Sequence, residues 1–246
     1  MRPDGRNPAD IRPLTMQAGF TSQPAGSVLV RCGQTLVLCT ASVENSVPRF
    51  RLGQGGWLTA EYGMLPGSTH ERSPREAARG KQSGRTVEIQ RLIGRCLRTS
   101  VDMQLLGDRT VTIDCEVLQA DGGTRTASIT GGFVALALAM DRLLVSGELA
   151  ASPLVCGVSA ISAGIVGGAA VVDLPYVEDS AAEVDGNFVR TSRGEWVEVQ
   201  ASGEGGVLRR AQLDELMDLS DQALDVIWGL QKQTLGQEAC ARLGLV

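Results

Sequence analysis

A chain of 246 residues with 43% apolar side chains can bury a sizeable core, as one large domain or as two halves of about 120 residues each. Four Phe, three Trp and two Tyr are too few for a surface built mainly on stacking bases, and a net charge of −5 excludes a uniformly basic nucleic-acid binder. The charge is uneven, however: between Arg72 and Arg98 stand eight basic residues (Arg72, Arg75, Arg79, Lys81, Arg85, Arg91, Arg95, Arg98) and only two acids, Glu76 and Glu88.

The six cysteines form no CxxC pair and sit mostly among apolar neighbours, as in VLCTA and IDCEV, the usage of buried thiols in a reducing compartment. MRPDGRNPAD has no signal-peptide core and no run approaches about 18 apolar residues, so a cytoplasmic protein without a membrane partner is expected.

In chain order, SVLVRC (27–32) and QTLVLCTASV (34–43), joined at Gly33, predict a hairpin, and WLTAEY (57–62) a third strand. GMLPGSTHERSPREAARGKQSGR, polar and punctuated by glycine, predicts a long loop of the functional or mobile kind. From Thr86 the period becomes helical: Ile89, Leu92, Ile93, Cys96 and Leu97 share one face, and Arg91, Arg95 and Arg98 fall on the other. RTVTIDCEVLQ (109–119) predicts a strand, GGTRT a turn, and SITGGFVALALAMDRLLVSG an apolar helix closed by Gly147.

The second half repeats this order. VCGVSAISAGIV and GAAVVDL predict strands around Gly167 and Gly168, EWVEVQAS another strand, and LRRAQLDELMDLSDQALDVIWGLQKQ a long helix. The expected fold class is α+β, mixed sheets packed on helices. The expected organisation is a single domain over 1–246, with a first half of about 1–150 and a second of about 151–246.

In DGGTRTAS the glycines let backbone N–H groups approach a ligand, Thr124 adds a hydroxyl, Arg125 a forked cation, and the following helix its positive end. Together these suit a phosphate; the alternative is a plain helix entry capped by Thr126 or Ser128. Arg85, in KQSGRT, stands at a second helix entry and can face the same anion. In YVEDSAAEVDGN the acids Asp179, Glu183 and Asp185 share parity with Asp173 upstream, so any extended part presents them on one face. Carboxylates without His or Cys suit a hard ion such as Mg2+; the alternative is an acidic surface loop. His70 is the only histidine, which leaves little for a hydrolytic triad or a zinc site. A phosphate pocket, carboxylates and no evident general base fit phosphorolysis better than hydrolysis, because phosphate is already anionic near neutral pH.

Three long motifs then carry a resemblance: LTAEYGMLPGSTHERSPREAARGKQSGRTVEIQRLIGRCLR, DCEVLQADGGTRTASITG, and LPYVEDSAAEVDGN followed by VEVQ. In this order and spacing they resemble ribonuclease PH, from RPDGR to about residue 235. The resemblance implies a phosphate-dependent 3′-to-5′ exoribonuclease, a reversible nucleotidyltransferase, that trims tRNA precursors and releases nucleoside diphosphates. It implies two tandem βαβα halves of the ribosomal protein S5 domain 2 type and a homo-oligomer, a hexameric ring built as a trimer of dimers. It assigns phosphate to Arg85, Gly123, Thr124 and Arg125, and tRNA contact to Arg72, Arg75 and Arg79. Catalysis and Mg2+ binding fall on Asp179 and Asp185. This chain departs from the family pattern at Glu116 (commonly Asp), at Arg190 (near an apolar position) and in ASGEGGVL, where a GTAEG-x-x-F run is common. A catalytically silent ring subunit is the rival reading, yet such a subunit is expected to lack the phosphate ligands or the aspartates that this chain keeps.

Overall fold

The computed structural model describes residues 2–203 and 205–245. The first half is built on a sheet in which β1 (Leu14–Ala18), β2 (Gly26–Cys32) and β3 (Thr35–Glu44) run antiparallel. Beside β3 lies β5 (Thr110–Gln119), antiparallel to it and parallel to β4 (Trp57–Met64), in the order β1-β2-β3-β5-β4. A parallel pair needs a crossover. Here α1 (Gly84–Arg98) and the single turn α2 (Met103–Leu106) supply it. Alternation sets the faces: Val37, Cys39 and Ala41 of β3 and Val111, Ile113, Cys115 and Val117 of β5 are buried, with half-buried residues between most of them.

The helix α3 (Thr124–Val145) packs on β2, β3 and β5 and also on β6 (Val158–Val166) of a second sheet. Covered from both sides, it is apolar all round. Its length and composition would let it cross a membrane, but 72% of its most apolar window is buried inside the protein, as in a core helix. The second sheet is antiparallel throughout, in the order β7-β6-β8-β9, with β7 (Ala169–Val172), β8 (Val184–Thr191) and β9 (Trp196–Gly203). The single turn α4 (Tyr176–Asp179) lies between β7 and β8. The long α5 (Arg210–Leu235) covers β6 and β7 and reaches β1 and α3; α6 (Gln237–Leu243), in the segment after residue 235, packs on α3 and α5.

Five elements have no counterpart in the sequence expectation: β1, β8, α6 and the single turns α2 and α4. VDGNFVRT lacks the apolar alternation of a half-exposed strand because β8 is central, paired with β6 on one side and β9 on the other. Its Arg190 is buried and bonded to Asp221 and Asp225, one turn apart on α5. The departure at Arg190 thus comes with its own counter-charges. In ASGEGGVL, β9 ends at Gly203, and Glu204 lies outside the described residues.

Candidate active site

Two consecutive glycines in the left-handed region build the entry to α3: Gly122 at φ 73° and Gly123 at φ 68°. A side chain resists that region, and a Cβ on Gly122 would also lie 2.3 Å from the Leu174 carbonyl oxygen. No side chain caps this helix. Thr126 and Ser128, the alternative caps, donate back to the carbonyls of Gly123 (3.0 Å) and Thr124 (2.8 Å). At α1, by contrast, Ser83 Oγ accepts from the Thr86 N–H at 3.1 Å. The helix start that resembles a phosphate cradle is therefore the one without a side-chain cap, at the positive end of a long buried helix.

Around it stand the other groups of the first half. Arg125 Nη2 donates to Glu88 Oε2 at 3.0 Å, while Arg125 Nε is buried and has no hydrogen-bond partner among the described residues. Thr124 Oγ1 accepts from the buried Tyr62 hydroxyl at 3.0 Å. Burial pushes the Tyr62 phenol up, against the Thr124 hydrogen bond and the positive charges of Arg85 and Arg125. Arg85 is the second residue of α1 and exposed. The loop before it is fastened to α1 by Thr86 Oγ1, which donates to Glu76 Oε1 at 2.8 Å.

Arg85, Gly123, Thr124 and Arg125 line a cleft of about 740 Å³ together with Asp179 and Asp185. All six residues expected to bind phosphate or to do chemistry thus meet in one cavity, drawn from both halves of the chain. The wider acidic cluster does not form. The turn of α4 breaks the two-residue period, and the other acids are committed elsewhere. Asp173 is buried against Arg12, Glu178 is buried in an ion pair with Arg2 at 2.7 Å, and Glu183 accepts from the Gly168 N–H at 3.2 Å. No group of three or more His, Cys, Asp or Glu able to hold a metal occurs among the described residues.

The three arginines expected to contact tRNA are exposed but not equivalent. Arg72 lines the same cleft as Asp179. Arg75 lines an adjoining cleft of about 660 Å³, which shares Arg85 with the first. Arg79 is in neither lining and ends a short 3-10 turn, Ala77–Arg79.

Several lining residues went unassigned in the sequence. Tyr62, in the lining of the adjoining cleft, is one, although the alternation Leu58, Ala60, Tyr62 already sets it on the buried face of β4. Asn187 shares the face of Asp185 two residues on in β8, and it pairs in register with Ser162 of β6; all three line the cleft. Tyr176 and His70 also meet at its rim, with ring centroids 6.3 Å apart.

Family models agree with this architecture: residues 10–140 match domain 1 of the 3′ exoribonuclease family, and residues 156–223 match domain 2. The chain belongs to the 3′ exoribonuclease family. Within that family it is 55% identical over 237 residues to ribonuclease PH of Crocosphaera subtropica, covering 96% of this chain and 98% of the relative. It is 54% identical over 233 residues to ribonuclease PH of Roseobacter denitrificans, covering 94% and 98%. Among solved structures the fold is similar to rice Rrp46 (TM-score 0.78, 18% identity, 96% of this chain and 100% of that one). It is equally similar to a chain of the Archaeoglobus fulgidus exosome with RNA bound to the active site (TM-score 0.78, 22% identity, 94% and 92%).

Proposed function

We propose that this chain is a phosphate-dependent 3′-to-5′ exoribonuclease that trims the 3′ ends of tRNA precursors and releases nucleoside diphosphates. The observation that carries this reading is the single cleft that gathers two guanidinium groups, an uncapped helix start and two carboxylates. Identity above 50% to ribonuclease PH over nearly the whole chain supports the same reaction class.

Inorganic phosphate, the co-substrate, is assigned to Gly123, Thr124 and Arg125 together with Arg85. Backbone N–H groups and a buried, otherwise unpartnered Nε donate to it. One of its oxygens attacks the phosphorus of the last internucleotide linkage, the bond to the 3′ oxygen of the preceding nucleotide breaks, and that oxygen takes up the proton that the attacking hydrogen phosphate gives up. The products are a nucleoside diphosphate and an RNA one nucleotide shorter. With no strong base needed for the nucleophile, the protein's main contributions are alignment and charge neutralisation.

Asp179 and Asp185 are assigned to catalysis and to Mg2+. Two carboxylates opposite a phosphate site suit that ion, which keeps several waters and takes one or two carboxylates beside substrate phosphates. Bound there, it would neutralise charge at the scissile phosphate and on the departing oxygen. Asp185 is half-buried on β8 and fixed by the sheet, whereas Asp179 ends the exposed turn α4. Arg72, Arg75 and Arg79 are assigned to the body of the tRNA, outside the reacting linkage. A ring of six chains, a trimer of dimers, is proposed as the assembly. The half-buried leucines Leu29 and Leu38, paired across β2 and β3, support an assembly surface on the outer face of the first sheet. The single domain built of two halves is retained as the organisation.

The test is incubation of 3′-extended tRNA with and without phosphate, with the released mononucleotide identified. Nucleoside diphosphates appearing only with phosphate are expected; nucleoside monophosphates, or trimming at full rate without phosphate, overturn the reading.

A further inference from the structure

We infer that Arg12 is a positioning residue that sets the phosphate-binding turn and the Asp179 segment at their working distance. The inference rests on the assignment of those two sites above. Arg12 is 5% exposed and is not in the lining of the cleft, so it touches no substrate. Its guanidinium nevertheless holds both the turn and the segment. Nε and Nη2 grip the two carboxylate oxygens of Asp173 at 2.9 and 2.7 Å, and the Arg12 backbone N–H donates to the same carboxylate at 2.6 Å. Nη1 donates to the Asp121 carbonyl and Nη2 reaches the Gly122 carbonyl at 3.5 Å. Asp121 immediately precedes the left-handed glycine pair, and Gly122 is its first member.

On the other side, Asp173 is the hinge of the acid-bearing segment. It is the one non-glycine residue among those described with a positive φ, 54°, a conformation that persists only where its surroundings hold it. Its N–H donates to the Ser162 carbonyl at 2.6 Å, and Leu174 N–H donates to Ser162 Oγ at 3.1 Å, both on a residue that lines the cleft. Two residues further on, Tyr176 N–H donates to Asp121 Oδ1 at 3.2 Å, a second tie between the segment and the turn. Arg2 and Arg6 reinforce the same hinge: each donates to the Asp173 carbonyl, at 2.9 and 3.0 Å, and Arg2 also grips Glu178, the neighbour of Asp179, in a forked ion pair.

Only an arginine can do this from one position. Its planar fork supplies five N–H donors in fixed directions, enough for a carboxylate on one edge and two carbonyls on the other, whereas a lysine ammonium is a point charge. Gly33, at φ 56°, makes room for it, since a Cβ there would lie 2.7 Å from Arg12 Cδ. If Arg12 were present only to neutralise Asp173, Lys would serve.

The decisive measurement is therefore steady-state phosphorolysis by Arg12→Lys in the full chain, at a temperature where circular dichroism shows it fully folded. The expected result is kcat down by about 10- to 100-fold, the size of loss that a misplacement near 1 Å brings, with KM for phosphate raised and the Kd for tRNA unchanged. Asp173→Asn, which keeps shape and removes the charge that Arg12 grips, is expected to show the same split and serves if Arg12→Lys does not fold. A folded Arg12→Lys or Asp173→Asn with parental kcat and parental KM for phosphate overturns the inference, as does a loss that appears equally in tRNA binding. Absence of phosphate-dependent trimming by the unaltered chain would instead overturn the reaction assignment, and the parental control reports that separately.

Discussion

Arg125 and Glu88 are joined, Nη2 to Oε2 at 3.0 Å, so the guanidinium assigned to phosphate already has an anionic neighbour. The Glu88 side chain is 42% exposed and the pair is solvent-screened, which keeps its worth within about 0.2–1 kcal/mol. An incoming phosphate therefore competes with a weak rival, while the buried Nε stays free for it. Glu88→Gln is expected to lower KM for phosphate by up to about five-fold, the equivalent of that energy, with kcat little changed. A raised KM would show instead that Glu88 aims the arginine. Arg125→Ala is expected to abolish phosphorolysis more fully than Arg125→Lys, because lysine keeps the charge and loses the fork.

Asp185 and Asp179 differ in how firmly they are held. Asp185→Asn is expected to lower turnover by about 10²-fold or more while tRNA binding stays nearly intact, since the change preserves shape and removes a charge needed at the reacting linkage. Asp179→Asn is expected to be impaired as well. Single-turnover assays at saturating RNA check both; near-normal turnover in the Asp185 variant would return the segment to a plain acidic loop.

The sequence made the first half of this site legible because its signals are local. A glycine pair before an apolar helix, and SGR before an amphipathic one, each announce a helix entry within a few residues. The acidic segment was harder to read. Parity put Asp173, Asp179, Glu183 and Asp185 on one face, yet Asp173 and Glu178 are claimed by arginines more than 160 residues away in sequence, Arg12 and Arg2. Nothing in YVEDSAAEVDGN encodes that claim, nor the turn of α4 that interrupts the period. The central strand β8 escaped notice for a related reason: it is buried on both faces, and its buried Arg190 is matched by Asp221 and Asp225 of α5, which nothing in VDGNFVRT announces.

The Asp173 hinge also has a pH signature. Burial alone would push its carboxyl up, but the hydrogen bonds and charge of Arg12, with Arg6 beyond, outweigh burial and hold it below its ordinary value of 3.8. A folded carboxyl that binds its proton less readily than the unfolded one stabilises the fold above the unfolded pKa, and that contribution fades as pH falls through the folded pKa. The parent chain is therefore expected to lose more stability than Asp173→Asn does between about pH 5 and about pH 3. Urea midpoints of both proteins across that range check it, and parallel curves would remove Asp173 from the acid response.

The exposed arginines separate substrate holding from chemistry. Arg72 lines the same cleft as Asp179, Arg75 the adjoining one, and Arg79 lies outside both, and the three are proposed to mark a path for RNA beyond the reacting linkage. If the body of a tRNA follows that path, replacing all three by Ala is expected to weaken tRNA binding and to flatten its salt dependence. Each lost phosphate contact removes about 0.7 to 0.9 log units of slope, which bounds the change at about 1 to 3. Short oligonucleotides do not reach so far, and their phosphorolysis is expected to survive because Arg85, Arg125 and the two aspartates are untouched. If the arginines instead join neighbouring chains, the same variant comes apart and loses activity on every substrate. Sedimentation run beside both kinetic assays tells these outcomes apart, and an intact assembly with unchanged tRNA affinity would defeat the path altogether.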